Sequence, residues 1–148
     1  MKIRAAASLD LSAIKALLEQ EGLPSSDVTG SLLNHFLVAE DANGAMSGCV
    51  GLELSGSVAL LRSLAVAGAA RRAGLGNRLV SSAESLARHA GVSELWLLTT
   101  TAASFFLSVG YGPVERDLAP KEMQRSRQFA HLCPASAICM MKTLATKS

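Results

Sequence analysis

The sequence predicts a mixed α/β fold in which a central sheet of about seven strands is flanked by helices. Short apolar segments of strand length alternate with segments whose apolar residues recur at helical spacing, and this alternation runs along the chain. The chain has 148 residues, of which 49% are hydrophobic, so it is long enough to bury a substantial core. No repeat or linker divides it. We therefore expect a single domain over residues 1–148.

The first half of the chain is predicted to contain four strands and one helix. A short strand covers Met1–Ala6, and Asp10 is a suitable N-cap for a helix that ends near Gly22. A helical turn is expected over Ser31–His35. The apolar face of the helix consists of Leu11, Ile14, Leu17 and Leu18. The other three strands form a meander, over Phe36–Glu40, Ala45–Leu54 and Val58–Val66.

The second half is predicted to continue the alternation of helices and strands. An amphipathic helix starts near Gly76 and ends before Gly91, which is a suitable C-cap. An apolar strand over Glu94–Thr100 follows, and its pattern indicates burial on both faces. The remaining elements are a short helix, a strand, a second helix and a closing strand, over Thr101–Gly110, Tyr111–Glu115, Pro120–Phe129 and Ala137–Leu144.

Composition and charge exclude several classes of function. A formal net charge of +2 is too small to indicate a nucleic-acid or membrane-surface partner. Three cysteines, an odd number, fit a reducing compartment better than a disulfide framework. The first residues lack the apolar run of a signal peptide, and no segment approaches the roughly 20 apolar residues that span a bilayer. We therefore expect a cytoplasmic protein with no nucleic-acid or membrane partner.

The segment from Val58 to Val80 predicts an anion site. An apolar strand, a glycine-containing loop and a helix follow one another, so backbone N–H groups and the positive end of the helix converge there. A Walker loop is excluded because Asn77 and Arg78 follow the last glycine. The dinucleotide-binding pattern is excluded because Leu79 stands where a third glycine is needed. The remaining pattern is R-x-x-G-x-G over residues 71–76.

This loop resembles the coenzyme A pyrophosphate loop of the GCN5-related N-acetyltransferase (GNAT) family. A second family motif, an aromatic helix that ends in Gly-Phe or Gly-Tyr, stands at Phe105–Tyr111, one helix and one strand further along. Three other segments are similar to the acetyltransferases associated with arsenic-resistance operons, so that the resemblance covers roughly residues 45–144. They are Leu60–Val66, Thr99–Thr101 and Phe129–Met140.

The resemblance implies a GNAT-type fold and transfer of an acetyl group from acetyl-CoA, as co-substrate, to an amine. The backbone of Leu64, Ala65 and Val66 would pair with the pantetheine arm, and the N–H of Leu64 or of its neighbour would face the thioester oxygen as oxyanion donor. The Arg78 side chain, with that of Arg72, would steer the 3′-phosphate end. The pyrophosphate would be held by backbone N–H groups of Arg71, Arg72, Ala73, Gly74, Leu75, Gly76 and Asn77.

Two residues depart from the family pattern. Phe106 stands where many members carry the tyrosine that protonates the leaving thiolate, so the general acid is not identified by the motif. Tyr111 or an ordered water is the alternative proton donor. Thr99 stands where many members carry an asparagine that contacts pantetheine, which alters one contact with the cofactor. The threonines at 99–101 either bond the ligand or cap the next helix, and Thr101 is the expected cap.

The polar pair Arg62 and Ser63 interrupts an apolar strand beside the expected thioester position. Because an isolated buried charge is costly, the arginine needs a partner. One interpretation is that the two residues clamp an anionic substrate or act as a positioning pair; the other is that the arginine is paired with a structural carboxylate. Glu53, at the end of the preceding strand, is either the base that deprotonates the amine or simply a salt-bridge partner of Arg62.

The leading hypothesis is an N-acetyltransferase for a small-molecule amine, such as an amino-acid-like arsenical or related toxic compound. One alternative is a coenzyme A-binding protein that has lost catalysis, which the phenylalanine at position 106 favours. Another is a thiol-based arsenical binder that uses Cys49, Cys133 and Cys139. We expect no metal, because His131 and these cysteines lack close ligand spacing such as C-x-x-C. A homodimer through a shared sheet edge is left open.

Overall fold

The computed structural model describes residues 2–68, 74–126 and 136–144, and these residues form a seven-stranded sheet with helices. The strand order in the sheet is β1-β2-β3-β4-β5-β7-β6. The strands are β1 Lys2–Ala5, β2 Phe36–Glu40, β3 Met46–Ser55, β4 Val58–Val66, β5 Glu94–Thr99, β6 Gly112–Pro113 and β7 Ile138–Thr143. The helices are α1 Leu11–Gln20, α2 Leu75–His89, α3 Ala103–Ser108 and α4 Lys121–Gln124.

The sheet is mixed, as predicted. Strands β1, β2 and β3 are antiparallel neighbours, with Leu37 opposite both Ala5 and Val50. Strands β4 and β5 are parallel and pair over three positions, the last being Leu60 opposite Trp96. Strand β7 then lies antiparallel to β5 on one side and to β6 on the other. The predicted α/β fold class is therefore confirmed.

The chain forms two compact units, and the first contains residues Met1–Glu53 and Leu61–Ser85. Helix α1 forms because its apolar residues recur at helical spacing, and Ile14, Leu17 and Leu18 are all buried. Gly22, with a φ of +72°, follows the end of this helix, as expected. The core of this unit consists of Ile14, Leu17, Leu18, Val28, Leu33, Phe36, Val38, Cys49 and Ala65.

The second unit contains Leu54–Leu60 and Leu86–Ser148. Strand β5 is an apolar run, and its central residues Leu95, Trp96 and Leu97 are buried. One core of this unit consists of Val58, Leu60, Trp96, Ala119, Met123 and Cys139. The expectation of one domain over residues 1–148 stays a prediction.

Phe36 and Gly51 are partners across strands β2 and β3. The phenylalanine ring is buried, and it covers the backbone of Gly51 so closely that a Cβ at this position would overlap the ring. Glycine is therefore required here by the close approach of an aromatic side chain rather than by its own backbone conformation. The pair fills one site in the sheet with a single large side chain.

Three local predictions are corrected. Asp10 does occupy the N-cap position of α1, but its side chain makes no cap hydrogen bond to that helix. Instead its carboxylate accepts bonds from the Arg4 guanidinium at 2.8 and 3.0 Å and from the Ala7 N–H at 2.7 Å. The strand predicted over Tyr111–Glu115 is reduced to Gly112–Pro113, because the Tyr111 N–H donates to the Phe106 carbonyl at 3.0 Å and Glu115 is the N-cap of the next helical turn. The helix predicted over Pro120–Phe129 covers Lys121–Gln124, and residues 127–129 lie outside the described ranges.

No helix within residues 2–68, 74–126 and 136–144 has the length and apolar character that a membrane span requires.

Candidate active site

Strand β4 breaks its regular conformation at Ser63. Ser63 has a φ of 59°, and among the residues that the structure describes it is the one non-glycine residue with a positive φ. This region of backbone conformation is unfavourable for an L-residue, and residues held in it occur preferentially at functional sites. The predicted polar interruption of the strand is thus also a break in its backbone.

Two side chains of the first unit hold Ser63 in this conformation. The Arg62 Nε donates a hydrogen bond to the Ser63 hydroxyl at 3.0 Å. The Cys49 thiol, on strand β3, donates to the Ser63 carbonyl at 3.3 Å. The serine is therefore held through both its side-chain hydroxyl and its backbone carbonyl.

Arg62 lies at the centre of a buried ion-pair cluster, the Asp27–Arg62–Glu53 cluster. Its guanidinium donates to the two carboxylate oxygens of Asp27 at 2.5 and 2.6 Å, and to Glu53 Oε2 at 2.7 Å. The Arg62 side chain is 0% exposed, that of Asp27 5% and that of Glu53 27%. Burial acts to lower the pKa of Arg62, but the bonds to Asp27 and Glu53 outweigh it and raise this pKa above its ordinary value.

The cluster brings together two of the residues singled out from the sequence and adds one. The salt bridge between Arg62 and Glu53 is present. Glu53 uses only Oε2 in its bond with Arg62, and Oε1 has no hydrogen-bond partner within the described part of the chain. Sequence reasoning missed Asp27, which stands in the polar loop after α1 and follows no strand or helix pattern that would place its side chain.

The predicted phosphate loop leads into helix α2. Gly74 has a φ of +75°, and helix α2 begins at the next residue, Leu75, whose side chain is buried. The N–H of Arg78 donates to the Gly74 carbonyl at 3.2 Å, so the amides of residues 75–77 precede this bond in the first turn. Residues Arg71, Arg72 and Ala73 of the predicted loop lie outside the described ranges.

Gly48 in strand β3 permits helix α2 and the end of strand β4 to pack closely against β3. A Cβ at position 48 would lie 2.9 Å from the Leu79 side chain and 3.0 Å from the Ala65 carbonyl oxygen. Helix α2 and the end of β4 can therefore both approach β3 at this glycine. The glycine sets the position of Ala65, one of the three residues expected to face the pantetheine arm.

In the second unit, Thr99 ends strand β5 and its hydroxyl accepts a hydrogen bond from the Ala102 N–H at 2.9 Å. Thr99 therefore bonds the backbone at the start of helix α3, where Thr101 was the expected cap. Thr99 can make this bond because it stands three residues before Ala102, and bonds from a threonine hydroxyl to a nearby backbone group commonly close a short turn of this kind. A contact between Thr99 and the cofactor stays a prediction.

Phe106 and Tyr111 form an aromatic pair in the second unit. Both side chains are buried, and their rings meet edge to face with centroids 5.5 Å apart. The Lys142 ammonium lies 5.6 Å from the centroid of the Tyr111 ring and donates to the Val109 carbonyl at 3.0 Å. The phenol that could replace the missing family tyrosine therefore lies directly beside Phe106.

The described cysteines are buried thiols. Burial raises the pKa of Cys49 to about 12, with a smaller opposing effect from the backbone of Ala65. Burial also raises the pKa of Cys139, and the charge of Arg116 partly opposes this. Cys133 and His131 lie outside the described ranges. Within the described ranges no three His, Cys, Asp or Glu side chains come together as metal ligands.

Comparison with known proteins identifies the family. Residues 33–113, more than half of the chain, match the model of the acetyltransferase (GNAT) domain. An uncharacterized N-acetyltransferase from Chlorobaculum tepidum is 32% identical over an alignment of 153 positions, and this alignment covers 96% of each chain.

Two solved structures are similar over almost the whole chain. N-acetylglutamate synthase from Neisseria gonorrhoeae, complexed with coenzyme A and N-acetyl-glutamate, has a TM-score of 0.84 at 25% identity. The match covers 97% of this chain but 35% of the synthase chain, so this protein spans about a third of that enzyme. A Mycobacterium tuberculosis protein in complex with CoA and NLQ has a TM-score of 0.83 at 23% identity, and the match covers 98% and 100% of the two chains. This chain therefore belongs to the GNAT acetyltransferase family and is an acyltransferase.

Proposed function

We propose that this acyltransferase uses acetyl-CoA to acetylate the amine of a small, amino-acid-like molecule. The observation that carries the proposal is the break in β4 at Ser63, whose φ is 59°. A residue in this conformation turns the backbone that follows it out of the regular direction of the strand. The Leu64 N–H follows directly, and a fixed N–H aimed at a thioester oxygen stabilises the negative charge that develops during acyl transfer.

The cofactor contacts that we propose involve strand β4 after the break and helix α2. Ala65 and Val66 complete β4 after Leu64, and their backbone would pair with the pantetheine arm as an added strand would. The first-turn amides of α2, from Leu75 to Asn77, would bind the pyrophosphate, because they precede the first hydrogen bond within the helix. The complexes of the structural neighbours with coenzyme A support this assignment.

Glu53 is the proposed base. Its side chain is 27% exposed, and Oε2 is bonded to Arg62 while Oε1 has no hydrogen-bond partner among the described residues. Oε1 can therefore accept a proton from the substrate ammonium, directly or through one water. The neutral amine then attacks the thioester carbonyl carbon, the C–S bond breaks, and the thiolate leaves.

Tyr111 is the proposed donor of the proton that the thiolate takes up. Tyr111 would supply the phenol that is missing at position 106, and its ring packs against the Phe106 ring. The nitrogen loses two protons in all: one passes through Glu53 to solvent, and the other, lost after attack, restores the Tyr111 phenol once it has protonated the thiolate. The reaction thus converts an ammonium and acetyl-CoA into an amide, free coenzyme A and one proton released to solvent. The products balance the reactants without a metal or a redox cofactor.

The substrate class is proposed to be α-amino acids that carry a second acidic group, including glutamate-like arsenicals of the kind that arsenic-resistance acetyltransferases modify. The sequence similarity of Leu60–Val66 and Thr99–Thr101 to those enzymes supports the arsenical. The complex of the neighbouring synthase with N-acetyl-glutamate supports a glutamate-like product. Direct binding of the substrate acid by Arg62 and Ser63 stays a proposal, and it would require Arg62 to exchange one of its two carboxylate partners.

The test is release of coenzyme A from acetyl-CoA with a panel of amines. The panel contains glutamate, phosphinothricin and arsinothricin, with alanine, lysine and spermidine as amines that lack the second acid. We expect turnover with the acidic amino acids and little with the others. Turnover of the polyamine alone would contradict the substrate class. Binding of acetyl-CoA without turnover of any amine would favour the alternative of a coenzyme A-binding protein that has lost catalysis.

The thiol-based alternative receives no support from the described cysteines. Trivalent arsenicals react with thiolates, and the raised pKa values of Cys49 and Cys139 reduce the thiolate fraction. Intact-mass titration with a trivalent arsenical, in the wild type and in Cys133→Ser, tests this alternative. Loss of an adduct in the variant would favour it, and absence of any adduct in the wild type would exclude it.

A further inference from the structure

Asp27 and Arg62 perform no step of the proposed acetyl transfer, yet they form the most buried ion pair of the cluster. Placing two charged groups away from water is costly, and a hydrophobic pair of similar volume is often at least as stable. The pair therefore calls for an explanation beyond packing. The geometry of its third contact, from Arg62 to Ser63, supplies one.

We infer that Arg62, oriented by Asp27, is a positioning residue that holds Ser63 in its left-handed conformation and so fixes the Leu64 N–H for the thioester oxygen. This inference rests on the proposed function, because it assigns the catalytic contact to Leu64. It differs from the substrate-binding role in that Arg62 acts on the protein backbone and does not touch the substrate.

The two bonds to Asp27 set the orientation of the guanidinium. A carboxylate that accepts from Nη1 and Nη2 at 2.5 and 2.6 Å fixes the plane of the guanidinium group. With the plane fixed, Nε points to the Ser63 hydroxyl, 3.0 Å away. Lysine at position 62 would carry the charge but could not bond a carboxylate through two nitrogens and a hydroxyl through a third.

The Ser63 hydroxyl then restrains the backbone to which it belongs. Serine at a φ of 59° is in an unfavourable region and would relax toward an extended conformation without a restraint. The bond from Cys49 to the Ser63 carbonyl restrains the backbone of the same residue at a second atom. Relaxation at Ser63 would turn the Leu64 N–H away from the position that the break gives it.

The experiment uses Arg62→Lys, Ser63→Gly and the double variant in the full-length chain. Glycine accepts a positive φ without the penalty of a Cβ, so Ser63→Gly serves as the background in which the backbone no longer needs the arginine, and each kcat is compared within its own background. Arg62→Lys should lower kcat by about 10- to 100-fold, part of the loss seen when an oxyanion donor is removed. The KM for acetyl-CoA should stay unchanged, because the contact strengthens only in the transition state. In the Ser63→Gly background, the same lysine substitution should cost much less.

Ser63→Val provides a matched control, since a β-branched side chain does not tolerate a positive φ. It leaves Arg62 and both carboxylates in place, so it should lower kcat as Arg62→Lys does. Carbon chemical shifts of Ser63, measured by NMR, give a readout that needs no turnover. In Arg62→Lys they should move from values typical of left-handed serine toward extended values, while the thermal midpoint reports any general loss of folding.

Several outcomes would overturn the inference. Wild-type kcat in Arg62→Lys or in Ser63→Val would do so, as would equal losses from the lysine substitution in the two backgrounds. A raised KM confined to acidic amines, with unchanged kcat, would instead assign Arg62 to substrate binding. Absence of turnover in the wild type would overturn the proposed function, and the Ser63 chemical shifts would then still decide whether Arg62 holds the backbone.

Discussion

The Arg62 guanidinium donates two hydrogen bonds to the Asp27 carboxylate, from Nη1 to Oδ2 at 2.5 Å and from Nη2 to Oδ1 at 2.6 Å. The two residues are 35 positions apart in the sequence. One belongs to strand β4, and the other to the loop that follows helix α1. The bond therefore ties an irregular segment to the strand that carries the candidate catalytic backbone.

Removing the charge of Asp27 should destabilise the protein strongly. In Asp27→Asn, Glu53 is the one ionic partner left to the buried guanidinium among the described residues, and breaking a buried ion pair costs about 3–5 kcal/mol. We expect a loss near 3 kcal/mol in the free energy of unfolding, because Glu53 remains. Urea denaturation followed by the fluorescence of Trp96, the one tryptophan of the chain, measures it. Glu53→Gln is the control; its side chain is 27% exposed, so its loss should be about 1 kcal/mol. Similar losses in the two variants would contradict this prediction.

Substitution of Gly74 should weaken acetyl-CoA binding. Gly74 and Gly91 have φ values of +75° and +85°, with open space around both Cβ positions. Alanine should therefore cost each site about 1 kcal/mol of stability for conformational reasons alone. Only Gly74 precedes the first turn of α2, so only Gly74→Ala should reduce the stabilisation by acetyl-CoA.

Thermal unfolding with and without acetyl-CoA measures this difference. A ligand at 100 times its dissociation constant stabilises a protein by about 2.7 kcal/mol. The wild type and Gly91→Ala should both show this shift at the same concentration of acetyl-CoA, and Gly74→Ala should show less. A full shift in Gly74→Ala would remove the case for a pyrophosphate site at this turn.

Alkaline pH should unfold the protein partly through Cys49. Burial raises the pKa of this thiol to about 12, whereas an unfolded cysteine ionises near pH 8.5. The folded state thus binds one more proton between these two values, and the stability present below about pH 8.5 is lost as the pH rises toward 12. We expect the loss attributable to Cys49 to be about 1.5–2 kcal/mol between pH 9 and pH 10.5.

Cys49→Ala isolates this effect, because it removes the ionising group and leaves the other titrating side chains unchanged. The free energy of unfolding of the wild type should fall more steeply with pH than that of the variant over this range. The two curves should be parallel below pH 8. Parallel curves up to pH 10.5 would show that the thiol is not protected from ionisation in the fold.

Tyr111→Phe should lower kcat by about 100-fold if the phenol protonates the leaving thiolate, which is the lower limit usual for a general acid. The substitution keeps the edge-to-face packing on Phe106, so the thermal midpoint should change little. Phe106→Tyr in the Tyr111→Phe background should restore part of kcat, because it places a phenol at the position used by other family members. An unchanged kcat in Tyr111→Phe would leave an ordered water as the proton donor.

The sequence was sufficient to predict the sheet and the central polar residues of the site. Strand β4 is an apolar run with Arg62 and Ser63 as its polar interruption, and such an interruption is visible because buried strands are otherwise apolar. Glu53 was identifiable for a related reason, since it lies near the end of the neighbouring strand.

Other contacts could not be predicted because nothing periodic determines them. Asp27 stands among serines in a polar loop, and only the tertiary fold brings it to Arg62 across 35 positions. Asp10 was predicted to cap α1, but a nearby guanidinium competes for its carboxylate and the charged bonds to Arg4 form instead. The choice between Thr99 and Thr101 as the residue bonding the start of α3 depended on where β5 ends, and strand ends are the least regular part of a sequence pattern.

The packing of Phe36 on Gly51 limits which substitutions these two positions can accumulate during evolution. The phenylalanine ring lies where any side chain at position 51 would begin, so the two positions share one fixed volume between them. A bulkier residue at 51 becomes acceptable only after the aromatic ring has been lost, and loss of the ring alone leaves a hole. Lineages should therefore exchange the two residues together, with the large side chain passing from one strand to the other.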